Sequence, residues 1–242
     1  MAEADWTAFT TNSLGDGDVA KGVTNALTPP AHSGSNQFVN AFHSLQATIG
    51  WAGYYYNSSA FNPIAPNKGG SIRGAIRRYA AGTQYAPMLA FISSTDPAAG
   101  SAYILGLSDS EPYQIVLRKG LVGGGLDPTG ADVLRVSDAT WNSNSKWFHL
   151  RLDIIVNPQG DVVLNVKQND LDTETVDDPD WIDIPGMESF TDDALGILTQ
   201  FGTSPNPPIT SGFRGAFGHF NNGEAGKVSL FDQLEIFRQI SP

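Results

Sequence analysis

Lys146-Trp-Phe-His-Leu-Arg-Leu-Asp-Ile-Ile-Val156 narrows the folding options of this chain more than any other segment. Phe148, Leu150, Leu152, Ile154 and Val156 alternate with Trp147, His149, Arg151 and Asp153, the period-two pattern of a strand with one apolar and one polar face. It runs into Asn157-Pro-Gln-Gly160, a four-residue turn, and then into Asp161–Lys167, where Val162, Leu164 and Val166 point one way. A β-hairpin follows from that order. Further strand-like runs at Phe38–Leu45, Ala47–Tyr56, Ser71–Tyr79, Pro87–Ser93, Ala102–Leu107, Tyr113–Arg118, Gly212–Phe220 and Lys227–Arg238 bring the expected number to roughly ten. Between them lie stretches rich in Gly, Pro, Asn, Asp and Ser, the residues that turns require.

The expected class is therefore all-β: a two-sheet antiparallel sandwich in a single domain spanning 1–242, with 1–30 as an extended arm. A chain of 242 residues buries roughly 70–75% of its extended surface on folding, so it needs neither disulfide nor structural metal. It has no cysteine in any case. One short helix is predicted within Met187–Gln200, where Thr191 caps a first turn holding Asp192 and Asp193 ahead of Ala194, Leu195, Ile197 and Leu198. Two stretches, Gly120–Ala139 and Gln168–Pro185, show no periodic pattern and are read as long loops facing a ligand or partner.

Charge excludes some partners. Fourteen Lys and Arg against 25 Asp and Glu leave a net charge of −11, which repels nucleic acid and anionic lipid surfaces. The N-terminus shows no basic, then apolar, secretory leader, and no apolar run reaches the roughly 20 residues of a membrane span.

The C-terminal third resembles the concanavalin A-like or laminin G-like jelly-roll superfamily. The resemblance lies in Trp147-Phe-His-Leu-Arg-Leu-Asp153, in Phe213-Arg-Gly-Ala-Phe-Gly218 and in Ser229-Leu-Phe-Asp-Gln-Leu-Glu-Ile236. It implies a lectin-like sandwich, and members of that superfamily include lectins, glycan-binding modules, glycoside hydrolases and structural domains of phage virions. Retaining hydrolases on this fold resemble one another in a Glu-x-Asp-x-x-Glu strand that sets two carboxylates about 5.5 Å apart across the sugar. No run here has that form. Asp170-Leu-Asp-Thr-Glu174 alternates correctly but lacks an apolar face, and Asp232 and Glu235, three apart, fall on opposite sides of a regular strand. There is no Gly-x-Ser-x-Gly, no metal spacing among His32, His43, His149 and His219, and no P-loop. The chain is accordingly read as non-enzymatic.

Two functions follow as expectations. The first is a virion component (phage capsid, neck, tail or fibre) that assembles with other subunits. The second is a carbohydrate-binding module working outside the cell and taking a cell-surface glycan. Sugar faces use aromatic rings that stack on pyranoses, and two clusters offer them: Trp51 with Tyr54, Tyr55 and Tyr56, and Trp147 with His149 and Arg151. No cofactor is expected. Calcium is the one ion the acidic loops suit, with Asp16 and Asp18 as candidate ligands.

Overall fold

The computed structural model describes residues 6–10, 19–24, 39–44, 49–56, 69–78, 85–93, 101–109, 111–121, 133–141, 147–169, 181–193, 197–199, 202–204, 208–210, 213–223 and 227–239. Their strands, in chain order, are β1 (Trp6–Thr10), β2 (Val19–Thr24), β3 (Val39–Ser44), β4 (Ile49–Tyr56), β5 (Gly69–Arg78), β6 (Tyr85–Ile92), β7 (Ser101–Leu107), β8 (Ile115–Leu121) and β9 (Val133–Val136). There follow β10 (Phe148–Val156), β11 (Val162–Asn169), β12 (Ile182–Asp183), β13 (Phe190–Asp192), β14 (Ile197–Thr199), β15 (Gly202–Ser204), β16 (Arg214–Asn222) and β17 (Val228–Gln239). No helix occurs among the described residues, so none there is long and apolar enough to cross a membrane.

Two antiparallel sheets form the sandwich. One runs β1-β4-β16-β6-β7-β8-β9, and the other runs β12-β11-β10-β5-β17-β3-β2 with β13 paired to β11. The predicted hairpin is present: Val156 stands opposite Val162, and Asn157 closes the turn by accepting the Asp161 N–H on its side chain at 2.9 Å. Gly160, with φ +92°, supplies the left-handed residue that this connection requires.

Alternation along the strands builds the core. Leu89, Phe91, Leu105 and Leu117 of the seven-stranded sheet join Ile72, Leu150, Leu152 and Ile154 of the other in one interior cluster. Phe217 and Phe231 bridge the sheets with ring centroids 5.3 Å apart. Each large side chain removed from water in this way contributes about 1.5–3 kcal/mol. The seven-stranded sheet is apolar on its second face as well: Trp51, Tyr55, Met88, Ile104, Val116 and Phe220 make a separate buried cluster, and every residue of β6 is buried.

The helix expected within Met187–Gln200 is corrected. Phe190–Asp192 is a strand paired with β11, with Phe190 and Asp192 buried, and Ile197–Thr199 pairs with Gly202–Ser204. Tertiary burial of alternate residues overrides a local pattern that satisfied helical spacing for only two turns. Within the expected arm, Trp6–Thr10 and Val19–Thr24 are strands at the ends of the two sheets; the rest of 1–30 lies outside the described residues.

Candidate functional site

The outer face of the eight-stranded sheet gathers the polar half of the β10 pattern. While Phe148, Leu150 and Leu152 enter the interior cluster, Trp147, His149, Arg151 and Asp153 occupy the opposite face. β10 lies between β5 and β11, and register sets its neighbours: Arg151 stands opposite Arg73 on one side and Lys167 on the other, while His149 stands opposite Ala75 and Asn169. A bulge in β17 completes the row. The pairing moves from Asp232 opposite Ala75 to Glu235 opposite Arg73, so one extra residue changes which parity of β17 faces out. Asp232 and Glu235 therefore take register positions on one face, against the expectation for a regular strand.

The outcome is a line of charged groups across five strands, Glu235, Arg73, Arg151, Lys167 and Asp183. Arg73 donates its Nε to Glu235 Oε2 at 2.6 Å and pairs with the same oxygen through Nη2. Arg151 donates Nε to Asp153 Oδ1 at 2.7 Å, and Lys167 Nζ lies 3.0 Å from Asp183 Oδ1. The Arg73 and Arg151 side chains are 25% and 24% exposed, so their charges sit in a medium less polar than water yet within reach of a ligand.

Aromatic rings interleave with these cations. Trp181 meets His149 edge-on with centroids 4.9 Å apart, and its ring lies 5.9 Å from the guanidinium carbons of both Arg73 and Arg151. Phe237, 42% exposed, lies 4.6 Å from the Arg73 guanidinium. Trp147 packs against Ala75 and Leu230, with Arg77 over its ring. Four buried polar atoms on this face, Trp147 Nε1, Trp181 Nε1, Asn169 Oδ1 and Ser71 Oγ, have no hydrogen-bond partner among the described residues. Each such atom costs about 1–3 kcal/mol, a cost that a bound polar molecule or water would offset.

Of the expected ligand residues, Trp147, His149 and Arg151 are brought together, although Trp147 and His149 are buried and the accessible groups are Arg151, Trp181 and Phe237. The Trp51 expectation is corrected: Trp51 is fully buried against Phe220, centroids 5.0 Å apart, and offers no ring to solvent. Tyr54, on the opposite side of β4, packs on Phe217 of the interior, and Tyr56 is half-buried opposite Trp6. The aromatic run of β4 thus serves packing on both faces of its sheet. Asp16 and Asp18 lie outside the described residues, as does Asp170–Glu174; among the described residues no group of three metal-ligating side chains occurs. Arg73, Trp181 and Phe237 were not singled out in the sequence, and Glu235 was weighed only with Asp232 as a catalytic carboxylate, because only cross-strand register and the bulge bring them to β10.

No protein-family model matches the chain, and no curated protein matches it by sequence. Solved structures do match. The cellulose induced protein Cip1 is similar over 98% of this chain and 93% of its own, at 13% identity and a TM-score of 0.53. A mutant of the Emp46p carbohydrate recognition domain is similar over 97% of this chain and 88% of its own, at 9% identity and a TM-score of 0.50. The chain shares their jelly-roll β-sandwich fold. A GH43 glycoside hydrolase shares it over 86% of this chain and 35% of its own, at 12% identity and a TM-score of 0.50. Since a carbohydrate recognition domain and an enzyme both carry this jelly roll, its function has to be argued from the site.

Proposed function

We propose that this chain is a non-catalytic carbohydrate-binding module that works outside the cell and seats its glycan on the outer face of the eight-stranded sheet. The observation that carries the reading is the half-buried Trp181 ring, 5.9 Å from the guanidinium carbons of both Arg73 and Arg151. An indole in that setting stacks on the apolar face of a pyranose, and the arginines donate to the hydroxyls that ring the sugar. The jelly-roll likeness to a carbohydrate recognition domain agrees with it.

Asp153 and Glu235, two carboxylates of this face, are each paired with an arginine, an arrangement that favours holding a ligand over splitting one. The virion reading rests on the jelly-roll resemblance and the absence of a catalytic motif in the sequence, and the structural likenesses add nothing to it. It therefore yields first place to the glycan reading.

A glycan array probed with the wild type and with Trp181→Ala tests the proposal. The expected result is a glycan signal that Trp181→Ala reduces at least tenfold, with an unchanged denaturation midpoint. A wild type that binds no glycan, or a signal indifferent to Trp181, overturns it.

A further inference from the structure

The cations of this face are arranged in a way that a neutral sugar leaves unexplained. Arg73, Arg151 and Lys167 stand abreast on three neighbouring strands, each directly opposite the next. Like charges in directly opposed positions repel, and ordinary sheets avoid them. Their carboxylate partners, Glu235, Asp153 and Asp183, offset the repulsion but occupy few of the donors. Arg151 is the least engaged: only its Nε donates, to Asp153, and among the described residues its two Nη nitrogens hold no hydrogen bond. A guanidinium with its terminal fork free matches a carboxylate in shape as well as charge.

Rings and cations also alternate on this face. Phe237 and Trp181 lie 4.6 and 5.9 Å from the Arg73 guanidinium, and the Arg151 guanidinium lies 5.9 Å from Trp181. Inorganic phosphate would use the forks and leave the rings idle, whereas a neutral sugar would use the rings and leave the fork idle. A sugar carrying a carboxylate uses both. A chain of net charge −11 has no general attraction for polyanions, so uptake of an acidic glycan would report this local arrangement and not bulk ion exchange.

We infer that the face selects acidic saccharides, with a uronate carboxylate seated on the free fork of Arg151 and its pyranose ring against Trp181. The inference rests on the carbohydrate-binding reading and adds the substrate class to it.

Calorimetric titration of the full chain with a galacturonate hexamer and with its fully methyl-esterified counterpart tests it, in parallel with Arg151→Gln, Arg151→Lys and Trp181→Ala. A charge-assisted bidentate contact predicts that the free acid binds at least about tenfold tighter than the ester. Arg151→Gln should bring that ratio to about one, and Arg151→Lys, which keeps the charge and loses the fork, should leave it between. Acid and ester binding equally, both lost in Trp181→Ala, would overturn the acidic preference while leaving the carbohydrate reading intact. Neither hexamer binding, together with a blank glycan array, would remove both. Displacement of the hexamer by equimolar inorganic phosphate, or acid binding that ignores Trp181→Ala, would mark a plain anion site and overturn the inference.

Discussion

Replacing Lys119 by Met should be among the most destabilising single changes in this protein, and the loss should fade in acid. Lys119 on β8 and Asp192 on β13 are 1% and 0% exposed, and Nζ lies 3.0 and 2.8 Å from the two carboxylate oxygens. Tyr103, the cross-strand partner of Lys119, donates its hydroxyl to the same carboxylate at 2.5 Å and accepts the Ile209 N–H at 3.1 Å. Burial pushes the Asp192 carboxyl up, against the downward pull of Lys119 and Tyr103, and burial with the adjacent carboxylate pushes the Tyr103 phenol up as well. Methionine keeps the length of the lysine stem but deletes the charge, leaving a dehydrated carboxylate held by one hydroxyl. Removing one partner of a buried pair costs about 3–5 kcal/mol. At about 2–4 °C per kcal/mol for a chain of this size, the melting temperature should fall by roughly 6–20 °C.

Without Lys119, the folded-state pKa of Asp192 rises further above its unfolded value. Such a group contributes stability fully below the ordinary carboxylate value near about 4 and loses that contribution as pH rises through the folded value. The deficit of Lys119→Met against wild type should therefore be complete at neutral pH and shrink toward pH 4, as urea denaturation at both pH values would show. Adding Asp192→Leu should restore most of the loss, because a buried pair is often no better than an apolar pair of similar volume. A deficit below about 1 kcal/mol, or one equal at both pH values, would refute the reasoning.

Three further outcomes are expected. Trp51→Ala should cost about 3–5 kcal/mol in chemical denaturation, because Trp51 fills the second cluster beside Phe220; an unchanged midpoint would mean that the ring is not packed. Gly186, at φ +85°, follows Pro185 in a turn closed by Met187 N–H to Ile184 C=O at 2.9 Å, and a Cβ there would come within 2.8 Å of the Val136 carbonyl oxygen. Gly186→Ala should accordingly lower stability by about 1–3 kcal/mol in the same assay. Glu235→Gln should weaken the hold on Arg73 while altering stability by less than about 1 kcal/mol, since Glu235 is 46% exposed and solvent screens the pair; a larger loss in thermal melts would show that the bulge itself depends on the charge.

How much of this was legible follows from what each signal depends on. The β10–β11 hairpin could be read because both its apolar alternation and its turn are local, and the polar face with Trp147, His149 and Arg151 came with it. The aromatic run of β4 misled for the same reason. Alternation shows that Trp51 and Tyr54 face opposite ways, but not that the seven-stranded sheet is covered on both faces, which is what buries Trp51 and packs Tyr54 inside.

The remaining site residues needed information that no window of sequence holds. Arg73 reads as one polar position in an apolar strand until register sets it against Arg151, 78 positions on. Trp181 closes a stretch so acidic that it reads as a solvated loop, and its meaning comes from the ring of His149 beneath it. Glu235 depends on the bulge: in a regular β17, the parity that sends Phe231 inward would send Glu235 and Phe237 inward too, and Arg73 would face neither its carboxylate nor its ring. By absorbing one residue, the bulge thus keeps Glu235 and Phe237 on the outer face. Deleting Gln233 would make β17 regular and leave Glu235 opposite Arg73 and Phe237 opposite Ser71, so the outer face should survive that deletion.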